Sequence, residues 1–337
     1  MSHFKRLWSW VILAGVGAIA IIALNTLPFT RSTPPPLRIA YNLWPGYFPM
    51  VLAQERGYFA QQGVQVELDR VGGTIMTDFR AGKYDGLALT LGNAITTNET
   101  EPIRMVMAMD DSMGADAIVA QSQMRAIADL RGQSIGATLG GFGELFLERM
   151  LAAGGLPRDA VTFVESDPSE VPEELRDNKL QAAHTWEPHI SRAVADGKRV
   201  LFTSADTPGL ITDVIFFKEE IARDRPDEIR AFVQACFQAI EDWQANFTEG
   251  NALIAQALGL DPQEISLEGI RLLTQADNRE RFNPNHPSSL YRNAQLYTDF
   301  FLRVRAIEAP PNLDRLIDPS LFNRKLTHAC RPPKPTI

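Results

Sequence analysis

Leu37, Ile39 and Tyr41 alternate with Arg38 and Ala40, which is the period of a strand, and the turn Trp44-Pro45-Gly46-Tyr47 comes directly after. Phe48, Val51, Leu52, Tyr58 and Phe59 then recur at helical spacing. After Gly63, Val64, Val66 and Leu68 alternate with Gln65 and Glu67. This is a βαβ unit. The rhythm continues through Gly72-Gly73-Thr74, a short helix ending near Lys83, an apolar strand Leu87 to Leu91, and a strand holding Ile103, Met105, Met107 and Met109. Strands that alternate with helical stretches predict a largely parallel sheet covered on both faces.

A short apolar strand, Ala117 to Ala120, precedes a restart of the pattern at about Gln121. Strand Ser134 to Thr138 leads into a helix whose inner face is Phe142, Leu145, Phe146, Met150 and Ala153, stopped by Gly154-Gly155. The second α/β segment runs on through Val161 to Val164, Ala182 to Thr185 and Val200 to Phe202. Beyond Val214 to Phe217 the pattern becomes long helices, the clearest being Pro226 to Phe247, with Ile229, Phe232, Val233, Cys236, Phe237, Ile240 and Trp243 on one stripe. The strands at 117–120 and 214–217 bracket the middle segment, so the chain is expected to cross to a second lobe and return. The predicted divisions are lobe 1 at 37–120 and 214–325, lobe 2 at 121–213, and a tail at 326–337.

Residues before Leu37 differ in kind. His3, Lys5 and Arg6 precede a charge-free apolar run from Leu7 to Leu24, the pattern of an export signal or an N-terminal membrane anchor over 1–30. The basic end stays inside, which places the residues after about 31 outside the cytoplasmic membrane, either free in the periplasm or tethered by an uncleaved helix. Thr30 to Pro36 reads as a stiff, proline-rich spacer over 31–36. No cysteine comes after the run to accept a lipid, and a clear cleavage site is not visible.

Composition narrows the class. The chain has 337 residues, 45% hydrophobic and 22% charged, with a net charge of −8, enough apolar material for two cores. Its basic residues form no stripe that could track phosphates, which argues against a nucleic-acid partner. The two cysteines, Cys236 and Cys330, are far apart, and Cys236 reads as a small core residue.

Clefts in open α/β sheets form at the carboxyl ends of strands. The loops predicted there are Asn42 to Tyr47, Gly72 to Thr74, Thr90 to Asn93, Asp111 to Asp116, Thr138 to Gly143 and Trp186 to Pro188. They combine glycines, hydroxyls and aromatic rings, suited to a small anionic head group with an apolar wall. The acidic group Asp110, Asp111 and Asp116 could instead receive an amine. Thr138 to Gly143 lacks the Gly-Lys-Ser/Thr ending of a phosphate loop, and no nucleophile signature is present, so neither a nucleotide nor catalysis is expected. His184, Glu187 and His189 lie on different predicted elements, which argues against a metal site. No cofactor is implied.

The residues Trp44-Pro45-Gly46-Tyr47, then Leu52-Ala53-Gln54-Glu55-Arg56-Gly57-Tyr58-Phe59 and Gly63-Val64-Gln65-Val66-Glu67, resemble the opening of the nitrate/sulfonate/taurine group of ABC-transporter binding proteins. The likeness continues at Ser112 to Ala120, Leu130 to Gly136, Thr185 to Pro188 and Leu313 to Asp318, and covers about 37–325. The resemblance implies a type II periplasmic binding fold, with two lobes on a two-crossing hinge, working as a monomer with a permease and an ATPase. The same superfamily includes binders of thiamine-pyrimidine precursors and related pyrimidine-synthesis enzymes. A pyrimidine binder and a membrane-anchored sensor subunit are the alternative readings. Ligand contact is expected at Asn42, Trp44, Tyr47, Thr74, Thr90, Asn93, Ser112, Asp116, Thr138, Gly141, Phe142, Trp186 and Glu187, with a sulfonate-like, nitrate-like or zwitterionic solute.

Overall fold

A computed structural model describes residues 34–320. The expected signal or anchor at 1–30, the first half of the spacer, the tail and Cys330 lie outside the described residues. Among the described residues no helix is long and apolar enough to cross a membrane.

The first half-lobe obeys the predicted βαβ pattern. β1 (Leu37–Tyr41) leads through a 3-10 turn at Pro45–Tyr47 into α1 (Phe48–Glu55) and α2 (Tyr58–Gln61). Next come β2 (Val66–Arg70), α3 (Ile75–Arg80), β3 (Gly86–Thr90), α4 (Leu91–Thr100) and β4 (Ile103–Ser112). β1 runs parallel to both β2 and β3. Every residue of β3 is buried, as expected of a strand covered on both faces, where neighbours supply the core on either side.

The chain then crosses to a second sheet made of β5 (Asp116–Ala120), β6 (Ser134–Ala137), β7 (Thr162–Glu165), β8 (Ala182–Trp186) and β9 (Arg199–Thr203). Its order is β7-β6-β8-β5-β9, and its helices are α5 (Phe142–Ala153), α6 (Val171–Arg176) and α7 (His189–Ala195). One expectation is corrected here. The sequence pattern puts the strand at 117–120 in lobe 1, but it pairs antiparallel with β8 and β9 in the second sheet. The first crossing therefore precedes the strand, at Met113 to Ala115. Alternation within five apolar residues fixes that a strand exists and leaves open which sheet receives it.

The return crossing delivers β10 (Thr212–Lys218) between β3 and β4, antiparallel to both. The first sheet therefore has the order β11-β4-β10-β3-β1-β2, with β11 at Ile270–Leu272. Each sheet is a parallel three-strand block, continued by an antiparallel strand that enters just after a crossing. The largely parallel sheet expected from the pattern is thus mixed, because a chain arriving from the other lobe enters from the opposite end.

The C-terminal helices α8 (Glu219–Asp224), α9 (Pro226–Ala245), α10 (Phe247–Leu258), α11 (Gln275–Arg281), α12 (Leu290–Val304) and α13 (Leu313–Leu316) cover this sheet. The predicted stripe of α9 is buried throughout, Cys236 included, and burial raises the Cys236 thiol. α9 opens on Pro226 at its first turn, where a missing N–H costs nothing, and it ends at Ala245 rather than running on to Phe247. Phe59 stacks on Phe232 at 5.3 Å, joining α2 to α9. On the other face one continuous apolar core passes from Leu91, Tyr297 and Phe301 to Phe146 and Phe202 of the second lobe. At its rim Arg303 of α12 meets Glu148 of α5 in a two-pronged ion pair at 3.0 and 2.5 Å.

Candidate functional site

Both lobes line a cavity of about 370 Å³. Lobe 1 contributes Asn42, Trp44 and Tyr47 from the loop after β1, Gly72, Gly73, Ile75 and Met76 at the start of α3, and Leu89, Thr90 and Asn93 where β3 passes into α4. Ile211 and Asp213 come from the return crossing. Lobe 2 contributes Asp116, then Thr138, Gly141 and Phe142 after β6, Asp167 to Ser169 after β7, and Trp186 at the end of β8. Most of these segments come after the carboxyl ends of parallel strands, where the sheet pattern places a crevice.

Beside the cavity lies a pair of buried acids. The Trp44 indole N–H donates to Asp110 Oδ1 at 3.1 Å, and the Tyr47 hydroxyl donates to Asp213 Oδ1. Asp110 and Asp213 themselves stand within hydrogen-bonding reach of each other. Burial, reinforced by the charge of Asp213, holds the Asp110 carboxyl well above the usual range. Burial also pushes Asp213 up to about 7, with the charge of Asp116 acting the same way and the Tyr47 hydrogen bond opposing both. Asp110 reaches this position because Gly46 has no side chain: a Cβ there would stand 1.9 Å from Asp110 Oδ2. The neighbouring Asp111 accepts from Thr212 Oγ1 at 2.7 Å and pairs with Arg281 and Arg271. Adjacent aspartates on one strand therefore face opposite ways, one toward cations and one toward another acid.

In lobe 2, Asp116 Oδ1 lies 3.0 Å from His184 Nε2. His184 is fully buried among the rings of Phe142, Phe146 and Trp186, with centroids at 5.3, 5.4 and 6.0 Å. Phe142 and Trp186 stack at 6.4 Å with an interplanar angle of 25°. His184 Nδ1 has no hydrogen-bond partner, and a Cβ on Gly143 would come within 2.8 Å of it. The arrangement is an aromatic wall stiffened from behind by a buried carboxylate–imidazole pair.

Three of the expected contact residues stand elsewhere. Thr74 is exposed and donates to Asp78 at 3.2 Å, although Gly72, Gly73, Ile75 and Met76 on either side of it line the cavity. Ser112 is buried at the first crossing against Ser204, with their hydroxyl oxygens 2.8 Å apart, and ties the two crossings together. Glu187 accepts from Ser191 N and Oγ at 3.1 and 3.0 Å and so braces the first turn of α7. His184, Glu187 and His189 are not brought together, and the described residues contain no cluster of three metal-binding side chains.

Sequence reasoning passed over Asp213, Met76, Ile211 and the Asp167-Pro168-Ser169 turn. Asp213 carried a signal, being an acid placed directly before the apolar run that begins at Val214. The others depend on how the lobes meet.

The loop amides expected to greet an anion are partly occupied. Gly140 N donates to Glu144 at 2.8 Å and Leu139 N to Glu165 at 2.9 Å, so lobe 2 neutralises its own loop. Thr90 Oγ1 caps α4 by accepting from Asn93 N at 3.2 Å. Among the described residues lining the cavity there is no lysine or arginine.

Two mixed α/β sheets joined by two crossings, with a cavity between them, define the periplasmic binding-protein fold. Residues 44–249, more than half of the chain, match the family described as NMT1/THI5 like, and the chain belongs to that family. Among solved structures, the aliphatic sulphonate-binding protein SsuA from Escherichia coli is similar with a TM-score of 0.69 at 18% identity, over 86% of this chain and 100% of that one. The nitrate-binding protein NrtA from Synechocystis PCC 6803 gives 0.67 at 14%, over 85% and 86%. The desulfurization enzyme DszB shares the fold at 0.64 and 17%, over 85% and 97%. In sequence, the riboflavin-binding protein RibY of Chloroflexus aurantiacus is 28% identical over 62% of each chain. A binding protein of Brucella abortus is 23% identical over 48% of this chain and 52% of that one, so the chain spans about half the length of that relative.

Proposed function

We propose that this protein captures a small solute between its lobes, outside the cytoplasmic membrane, and delivers it to the permease and ATPase of an ABC importer. The observation that carries the reading is the cavity lined from both lobes across two crossings. A solute that touches both walls binds the closed arrangement more tightly than an open one and so selects it. The binding proteins among its relatives support the same role. The fold alone also serves an enzyme, but His184, the histidine beside the cavity, is fully buried behind the aromatic wall. That favours reversible capture over catalysis. The acidic lining and occupied loop amides favour the zwitterionic or amine-bearing solutes over a bare anion. Residues 1–30 would export the receptor and could keep it tethered to the membrane.

The test is a thermal-shift screen of the purified protein against sulfonates, taurine, nitrate, bicarbonate and aminopyrimidines. A ligand at 100 times its Kd should add about 2.7 kcal/mol of stability. A clear upward shift with one class is expected, and a flat response to every class would overturn the reading.

A further inference from the structure

The charges around the cavity do not balance. Asp213 and Asp116 line it from opposite lobes, each 2% exposed, and Asp110 lies fully buried behind Asp213. No lysine or arginine is among the described residues lining the cavity, and Arg281 and Arg271 are engaged with Asp111, which faces the other way on β4. Asp116 gives one oxygen to His184, and no hydrogen bond among the described residues reaches the other. Asn42 Oδ1, also at the cavity, is buried without a partner. A buried acceptor without a partner is costly, so Asn42 Oδ1 calls for an N–H donor from outside the chain, and the second oxygen of Asp116 is available to the same donor. The rings of Trp44, Phe142 and Trp186 surround the same space, and ring faces attract cations.

We propose that this part of the cavity is a subsite for a small organic cation with several N–H donors, of the ammonium, amidinium or guanidinium class, held between Asp213 and Asp116. The inference rests on the reading of the cavity as the solute site and names the solute's charge. Its chemistry is an exchange: without the cation, the Asp110–Asp213 pair limits its buried charge by keeping a proton, and the cation takes that proton's place. The groups facing Asp213 are Tyr47 and Trp44 from the first loop, Asp110 and Asp111 from β4, Asp116 from lobe 2 with His184 behind it, and Tyr297 from α12. None of these groups is a lysine or an arginine, so the carboxylates set the sign of the field at the site. With Asp213 titrating at about 7, one competing proton makes cation affinity rise about tenfold from pH 6 to pH 8.

The experiment is calorimetry and thermal shift of the whole protein with methylammonium, acetamidinium and guanidinium, each far below denaturing concentration. Methanesulfonate and nitrate form the anion series. At least one cation should bind, about tenfold more tightly at pH 8 than at pH 6. Asp213→Asn should weaken it at least tenfold and flatten that pH profile, while Asp116→Asn should weaken it and keep the profile. Unchanged far-UV circular dichroism separates lost binding from lost folding in both variants. If anions bind and Asp213→Asn leaves their affinity unchanged, the cation subsite is overturned while the receptor reading stands. Cation binding that is indifferent to pH and to both substitutions overturns it equally. Silence from both series overturns the subsite and removes support from the receptor reading.

Discussion

The Tyr47 hydroxyl donates to Asp213 Oδ1, tying the first loop of the chain to the strand on which it returns from lobe 2. Asp213 is the second residue of β10, directly after the return crossing. A buried hydrogen bond at this point joins the cavity lining to the start of the return strand, so the cavity wall and the crossing share a residue.

Replacing Tyr47 with Phe removes that donor and leaves a buried carboxyl oxygen unsatisfied. The expected loss is about 1–3 kcal/mol in urea unfolding at pH 8. Because the Tyr47 bond favours the ionised form, the Asp213 carboxyl should titrate at higher pH in the variant, as read by carboxyl carbon NMR. An unchanged titration would show that the bond is not made in solution.

Asp213 also gives stability a pH dependence of unusual sign. Its carboxyl titrates at about 7 in the folded protein against 3.8 ordinarily, so between those values the folded state holds a proton that the unfolded state has lost. This contribution is fully present below about pH 4 and disappears as pH rises through 7. His189, held below 6.5 by burial, works in the opposite direction, and Glu219, held at about 2 by Arg315 and Arg104, changes only in acid. Subtracting the melting profile of Asp213→Asn from that of the wild type reads the effect of the linked Asp110–Asp213 pair, in which both carboxyls are raised and act in the same direction. The wild type should lose ground steadily between pH 5 and pH 8, and parallel profiles would contradict the raised carboxyl.

Gly46→Ala would bring a Cβ to 1.9 Å from Asp110 Oδ2 and 2.6 Å from the Trp44 indole nitrogen. Overpacking of this kind costs about 1–3 kcal/mol. Chemical denaturation should show that loss, together with a changed Trp44 fluorescence as its bond to Asp110 is displaced. Full stability with an unaltered spectrum would mean that the loop moves freely.

Trp186→Ala removes a half-buried ring that stacks on Phe142 at the cavity wall. Ligand found by the screen should bind at least tenfold more weakly, with little change in folding because Asp116 and His184 remain to hold β5 and β8 together. Equal affinity by calorimetry would remove Trp186 from the contact surface.

Local pattern was enough for most of the elements and most of the crevice loops, though it missed the helix Leu91–Thr100 and the strand Ile270–Leu272. The period of Leu37, Ile39 and Tyr41 and the stripe of α9 are set by which side chains must leave water, and that information lies in adjacent residues. Loops at strand ends, such as Asn42 to Tyr47 and Thr138 to Phe142, could be located once the strands were known. Pairing was not legible in the same way. Strand β5 has the same apolar composition whichever sheet it joins, and only its hydrogen bonds to β8 and β9 place it in lobe 2. The character of the site was also decided by distant contacts. Asp110 and Asp111 look alike in sequence, yet Arg281, 170 residues away, takes one, and the other meets Asp213 across a gap that Gly46 leaves open. Likewise the amides of the loop after β6 are free as far as local pattern goes, and it is Glu144 and Glu165 that fill them. The sequence by itself determined a two-lobed receptor-like fold and the loops of its cleft, because side-chain periodicity is local. Only tertiary structure decided the sign of the charge in that cleft, because the partners that neutralise or isolate each carboxylate arrive from far along the chain.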